Sequence, residues 1–343
     1  MQPLRTLALF LVVGMAYVVL ALSYGDDFGD DPAPLNSWVG GEGAPKQKII
    51  DFVTQVTTPE TAMYLPPERR VATIDVDGTI LVEKPDYMEV LVAAHHFCTL
   101  QKAGKCPTGA KKFCEASCNS DWSVIDPDVD AFLLTAFLNK TQGDYIANVE
   151  DFLTTDVSPI FNATYDNLVY LPMVELLNYL VENEFRVYLV SGSEQGFVRG
   201  LVRKASLPVS PGHVISQTVN LAYQSTPQPK SNAQTVSFLR QDAFRAPSVS
   251  GNGKAEVIRE VIGERPVLAF GNTMGDAEML TYATSDSIGL GLVLNHDNPM
   301  RECQYTDQDL LDKAKQMGWS IVSMKKDFAE VFANGIVPSK PCT

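Results

Sequence analysis

The run Val71-Ala72-Thr73-Ile74-Asp75-Val76-Asp77-Gly78-Thr79 decides how this chain is read. Its first four residues have the composition of a short buried strand, and they lead directly into two carboxylates spaced i, i+2. Working outward, Val187-Tyr188-Leu189-Val190 ends at Ser191-Gly192-Ser193, and Val267-Leu268-Ala269-Phe270 ends at Gly271-Asn272. An amphipathic helix pattern precedes each: Met173/Leu176/Leu177/Leu180 before the first, Val257/Ile258/Val261/Ile262 before the second. Apolar strands alternating with amphipathic helices predict an α/β domain, a Rossmann-like doubly wound parallel sheet covered on both faces, with ligands at the carboxyl ends of the strands.

Residues 86–163 break that rhythm with helical, cysteine-containing sequence, which predicts an inserted helical cap acting as a lid. The core then comprises 46–85 and 164–335, followed by a tail at 336–343. Ile49, Phe52, Val53 and Val56 predict a helix. Further strands are expected over 287–294 and 319–323, with a helix over 307–317 between them. Residues 25–45, rich in Gly, Asp and Pro, read as a solvated linker.

The 343 residues carry 27 Lys+Arg against 41 Asp+Glu, a formal net charge of −14. That balance opposes a nucleic-acid partner, and it means that any anionic ligand needs a local device to hold it. Residues 1–24 carry one early charge, Arg5, and an apolar run from Leu7 to Leu22, read as a signal peptide or a signal anchor. Either places the rest of the chain on the lumenal or extracellular side, with a membrane contact only through an uncleaved N-terminal segment. Six cysteines in such a compartment predict disulfides: Cys98, Cys106, Cys114 and Cys118 among themselves in any of three connectivities, and Cys303 with Cys342. Asn139-Lys140-Thr141 and Asn162-Ala163-Thr164 are glycosylation sequons.

Asp75 and Asp77 would repel one another at a sheet edge unless a cation joined them. Mg²⁺, bound by hard oxygen ligands, satisfies that need, while a structural turn is the alternative. An EF-hand loop starting at Asp75 fails, because it would require an acid or amide at Thr79, Gly at Ile80 and Glu at Asp86. Ser191 and Gly192, read at a helix start, offer a phosphate cradle or an ordinary cap. Lys254 opens a helix, where the dipole disfavours a cation unless an anion lies nearby; a solvated lysine is the other reading. Asn272 and Asp276 share a glycine-flexible loop and could face a metal, or Asp276 could cap the next helix. His296, beside Asp297, reads as structural, as does the pair His95-His96. Glu83 and Lys84 read as a solvated pair.

In order and spacing, Asp75-x-Asp77-x-Thr79, Ser191, Lys254 and the loop from Gly271 to Asp276 resemble the four motifs of the haloacid dehalogenase superfamily. Over about residues 37–332, Trp38, Glu83-Lys84-Pro85, Phe270-Gly271-Asn272-Thr273, His296-Asp297 with Arg301-Glu302, and Gly318-Trp319 resemble its exported, phosphoserine-phosphatase-like hydrolases. Ser193-Glu194 and Asn295 depart from that group, which carries Gly-Gly and a first His there. The resemblance implies a phosphatase for a small-molecule phosphomonoester. In it Asp75 is the nucleophile that forms an aspartyl-phosphate, and Asp77 is the general acid and base. Thr79, Ser191, Gly192 and Lys254 hold the phosphoryl group, and Asp75, Asp77 (through its carbonyl), Asn272 and Asp276 bind Mg²⁺. Phosphotransfer to another acceptor and a catalytically idle surface binding protein are the competing readings.

Overall fold

A computed structural model describes residues 35–229 and 233–342. The targeting segment and linker residues 25–34 lie outside the described residues. Among the described residues eight strands are formed: β1 (Val71–Ile74), β2 (Arg186–Glu194), β3 (Val214–Gln217), β4 (Val219–Pro227), β5 (Gln234–Phe244), β6 (Leu268–Gly271), β7 (Leu290–Asn295) and β8 (Ser320–Ser323). Six of them build one sheet in the order β3-β2-β1-β6-β7-β8, every neighbouring pair parallel. The sequence predicts this doubly wound sheet. Its direction of winding reverses between β1 and β6, which opens a crevice at their carboxyl ends, where the Asp75 and Asn272 loops emerge.

The helices follow from local chemistry. α1 (Pro45–Thr57) starts on a proline and buries Ile49, Phe52, Val53 and Val56. The insertion supplies α2 (Met88–Lys102), α3 (Lys111–Asn119), α4 (Trp122–Ile125), α5 (Val129–Ala136) and α6 (Gln142–Thr155). Its centre is a cluster of Phe97, Phe113 and Phe132 with ring centroids 5.2–5.9 Å apart. A reciprocal capping box between Thr141 and Asp144 sets the start of α6. Back in the core come α7 (Leu171–Glu182), α8 (Gln195–Lys204), α9 (Asn252–Ile262), α10 (Ala277–Ala283) and α11 (Gln308–Met317). Gly263 and Gly318 end α9 and α11 in the left-handed conformation.

Three disulfides form: Cys98–Cys118 joins α2 to α3, Cys106–Cys114 closes the turn between them, and Cys303–Cys342 holds the C-terminal tail. No cysteine among the described residues is free, and such bonds belong to an oxidising compartment. Asn139 and Asn162 of the two sequons are exposed. No helix among the described residues is long and apolar enough to cross a membrane.

Several boundaries differ from the sequence reading. The linker does not run to Pro45: Leu35 and Trp38 are buried, and the Trp38 indole donates to the Pro172 carbonyl and packs edge-on against Phe328. The strand expected from Ser287 begins at Leu290, because the Asp286 carboxylate accepts the Ser287 amide and turns the chain. The strand expected from Trp319 begins one residue later, since the Trp319 amide still bonds back to Ala314. The hairpin β4–β5, in the segment assigned to the core, leaves the sheet and docks on the insertion. Thr141 bridges Leu239, and Asn139 and Lys140 exchange backbone hydrogen bonds with Arg240.

Candidate active site

Each functional loop is set by the strand before it. Asp75 continues β1 far enough for its amide to bond Phe270 of β6 at 2.9 Å. Gly78 then turns the chain in the left-handed conformation, φ 72°, and a Cβ there would meet the Asn272 side chain at 1.9 Å, so only glycine fits. The turn brings the Thr79 hydroxyl within 3.0 Å of Asp75 Oδ2.

Lys254, in the first turn of α9, is buried. Its ammonium donates to Asp75 Oδ1 at 2.5 Å, Asp276 Oδ1 at 2.6 Å and the Val190 carbonyl at 2.9 Å. The lysine is no solvated surface charge; two carboxylates hold its pKa above the usual lysine range. Asp276 does not cap α10. Its Oδ2 folds back to accept the Asn272 and Thr273 amides at 3.0 and 3.1 Å, which stiffens the loop after β6. Asn272 donates to the Tyr305 hydroxyl at 3.1 Å and lies 3.4 Å from both Glu83 Oε1 and the Thr79 hydroxyl.

The Ser191 loop differs from its sequence reading. β2 runs on to Glu194, and it is Glu194, not Ser191, that caps α8 by accepting the Gly196 amide at 2.7 Å. Ser191 and Ser193, two residues apart on one strand face, both donate to Asp77 Oδ2, at 3.0 and 2.8 Å. Gly192 lies exposed at the cavity wall. Asp77 Oδ1 is buried with no hydrogen-bond partner among the described residues.

A cavity of about 250 Å³ joins these groups, floored by Asp75, Asp77, Lys254, Asn272 and Asp276 and roofed by Tyr87, Glu89, Val90, Val129 and Leu133 of the insertion. Burial and the neighbouring Asp276 push Asp75 up to about 8 against the opposing pull of Lys254. Burial also pushes Asp77 up, opposed by the Ser193 and Ser191 hydroxyls. Glu83 is 3% exposed, not a solvated residue, and burial raises it to about 7. Glu89, raised by burial and by Glu194 to about 8, accepts the Glu194 amide at 2.9 Å and the Tyr145 hydroxyl at 3.3 Å. His95 and His96 stay outside this site: His95 is half-exposed beside Asp156, and His96 stacks on Phe137, where burial lowers it to about 4.

Among the described residues no three His, Cys, Asp or Glu side chains converge as a metal cluster, and the Lys254 ammonium bonds both Asp75 and Asp276. The donor chemistry nonetheless fits a hard divalent cation. Asp75 and Asp276 offer hard carboxylate oxygens, the Asn272 amide adds a neutral one, and the buried Asp77 Oδ1 beside them has no partner among the described residues.

All eight residues singled out from the sequence, Asp75, Asp77, Thr79, Ser191, Gly192, Lys254, Asn272 and Asp276, gather around this one crevice. Sequence reasoning missed Ser193, whose two-residue spacing from Ser191 on a strand was the available signal, and Glu89 and Tyr87, which belong to a cap without a motif.

No protein-family model matches the chain, and no curated protein matches it by sequence. Solved structures do resemble it. A conserved protein of unknown function from Anaerococcus prevotii is 13% identical with a TM-score of 0.50, the match covering 80% of this chain and 90% of that one. A protein of unknown function from Bordetella pertussis is 14% identical with a TM-score of 0.47 over 74% and 98%. A phosphoserine phosphatase carrying a phospho-aspartyl intermediate analogue is 14% identical with a TM-score of 0.36 over 76% and 95%. At 13% identity the likeness to the Anaerococcus prevotii protein is one of fold, and the chain has the parallel α/β core with a cap inserted after its first strand that its resemblance to the haloacid dehalogenase superfamily implies.

Proposed function

We propose that this protein is an exported phosphomonoester hydrolase that works through an aspartyl-phosphate. The observation that carries the reading is the division of labour between two adjacent carboxylates in one cavity. Asp75 is gripped at both oxygens, by Lys254 and Thr79, in one orientation. Asp77 has one oxygen held by two serines and the other without a hydrogen-bond partner among the described residues. A fixed carboxylate suits in-line attack on phosphorus. A carboxyl with raised pKa keeps the proton that the departing alkoxide requires, and once deprotonated it can activate water against the phosphoenzyme.

Lys254 offsets charge on the transferring group, and the Gly192 backbone at the cavity wall is open to its oxygens. Asp75, Asp276, Asn272 and the Asp77 carbonyl would hold Mg²⁺, which would supply further neutralisation of the phosphoryl oxygens. The insertion roofs the cavity and keeps bulk water out while the alcohol leaves. Among the described residues, Lys254 is the only cation lining the cavity, already tied to two carboxylates, whereas Glu83 and Glu89 are on the walls. The leaving group that fits is therefore neutral or cationic, not anionic.

The reading is tested by phosphate release from a panel of small phosphomonoesters, with Mg²⁺ or with chelator, beside Asp75→Asn and Asp77→Asn. Release that needs Mg²⁺ and both carboxylates supports it. Release that survives Asp75→Asn refutes the nucleophile, and capture of the phosphoryl group by added alcohols in preference to water would redirect the reading to phosphotransfer.

A further inference from the structure

His296 belongs to none of the roles above, yet it is buried directly beneath the catalytic turn. Its Nε2 lies 2.7 Å from the Gly78 carbonyl, and its Nδ1 lies 3.0 Å from Glu302 Oε2, whose other oxygen accepts the Tyr170 hydroxyl at 3.0 Å. A carbonyl can only accept, so Nε2 must carry a proton and donate it. We propose that His296 is a positioning residue for the nucleophile, acting through the peptide between Gly78 and Thr79; this rests on the role given to Asp75 above.

The linkage runs through a single peptide plane. Its carbonyl is held by His296, and its N–H, on Thr79, bonds the Val76 carbonyl at 3.1 Å. With both ends fastened, the plane cannot rotate, and the Thr79 backbone is locked where its hydroxyl reaches Asp75 Oδ2. A second arm leads to the other loop. Tyr305 stacks on the imidazole with centroids 4.1 Å apart and planes 16° apart, and its hydroxyl accepts from Asn272. The backbone bridge from Tyr305 to His296 keeps that stack in register. One buried imidazole thus supports the loop after β1 directly and the loop after β6 through Tyr305. Without it the Gly78 carbonyl would be buried without a donor, and the turn would be free to tilt.

Two substitutions separate positioning from packing. Both His296→Asn and His296→Gln remove the ring, but the glutamine amide nitrogen reaches toward the place of Nε2, whereas the asparagine amide mimics Nδ1. A misplaced nucleophile loses rate by about a hundredfold without loss of substrate binding. For His296→Asn we therefore expect a fall in kcat of about 10- to 100-fold with KM within about threefold, and for His296→Gln recovery of most of that loss. A purely structural histidine would lower the melting temperature of both variants and leave kcat per folded molecule alike in the two. Equal kcat values in the Asn and Gln variants would overturn the proposal.

A second measurement needs no turnover. The chain has four histidines, so a spectrum of histidine-¹⁵N-labelled full-length protein contains four imidazoles, with His296 assigned by its loss in His296→Gln. A slowly exchanging proton on Nε2 of His296 is the expected result, and a neutral ring protonated only on Nδ1 would overturn the proposal. If the wild-type protein releases no phosphate from any ester, the phosphatase reading fails on its own, while the imidazole spectrum still decides whether His296 holds the turn.

Discussion

Replacing Ser193 by Ala removes one of the two hydroxyls that hold Asp77 Oδ2, and its effect follows from the geometry. The Ser193 bond, at 2.8 Å, is shorter than the Ser191 bond at 3.0 Å, and both stabilise the ionised carboxylate against burial. A hydrogen bond to a charged group contributes about 1.5–3 kcal/mol, and 1.36 kcal/mol corresponds to one pH unit. Removing the donor disfavours the carboxylate, so Asp77 keeps its proton to higher pH. The alkaline limb of kcat/KM, where the general acid deprotonates, is expected to move up by about one to two pH units. The assay is the pH profile of phosphate release at fixed Mg²⁺ for wild type, Ser193→Ala and Ser191→Ala, using an ester with a poor leaving group so that protonation limits the rate. The larger move is expected for Ser193→Ala. An alkaline limb that stays in place or moves down in both variants would refute the assignment of Asp77 as the acid.

Glu89 is raised from the usual glutamate value near 4.5 to about 8, so the folded state holds a proton that the unfolded chain has lost. Its contribution to stability is complete below about pH 4.5 and declines as pH rises toward 8, by at most about 5 kcal/mol. Glu89→Gln should flatten that decline, melting above wild type at pH 8 with the gap closing near pH 4.5; parallel melting curves would count against it. Arg240, on the hairpin, pairs with the buried Glu194 at 3.3 Å and lies 3.9 Å over the Tyr145 ring. Arg240→Ala strands a buried carboxylate and should destabilise by about 3–5 kcal/mol in denaturant titration, with Glu194→Gln in the same chain restoring part of the loss. With Lys254 tied to two carboxylates and no other cation lining the cavity among the described residues, phosphoethanolamine is expected to be turned over with a kcat/KM about tenfold or more above that of phosphoserine, which differs by one carboxylate. A preference for phosphoserine would mean that the cap presents a cation in the closed complex.

Much of the fold was legible because the sheet is buried on both faces. The residues of β1 and β6 are wholly buried, so their composition is nearly pure strand, and the acidic and amide residues that follow them mark the functional edge. β3 is equally buried and equally short, but two of its four residues, Ser216 and Gln217, are polar, so its composition does not mark a buried strand. The hairpin β4–β5 was illegible for the opposite reason. Most of its residues are exposed, with Tyr223 and Phe238 paired on a solvent face, so no apolar alternation records its docking on the cap. Lys254 was ambiguous because the carboxylates that bury its charge lie 179 and 22 residues away along the chain. Trp38 reads as linker because its partners, Pro172 and Phe328, come from α7 and from beyond β8. Glu89 and Tyr87 meet the core residues only through the closure of the cap over the crevice, a relation that carries no local pattern.

Hydrolysis through an aspartyl-phosphate requires that phosphorus become bonded to Asp75. Wild-type protein turning over a phosphomonoester with Mg²⁺ can be quenched in acid, digested and examined by mass spectrometry. One phosphoryl group is expected on the peptide containing Asp75, absent in Asp75→Asn and enriched in Asp77→Asn, where hydrolysis of the phosphoenzyme is slowed. Phosphate release with the label on another residue, or undiminished release by Asp75→Asn, would contradict it.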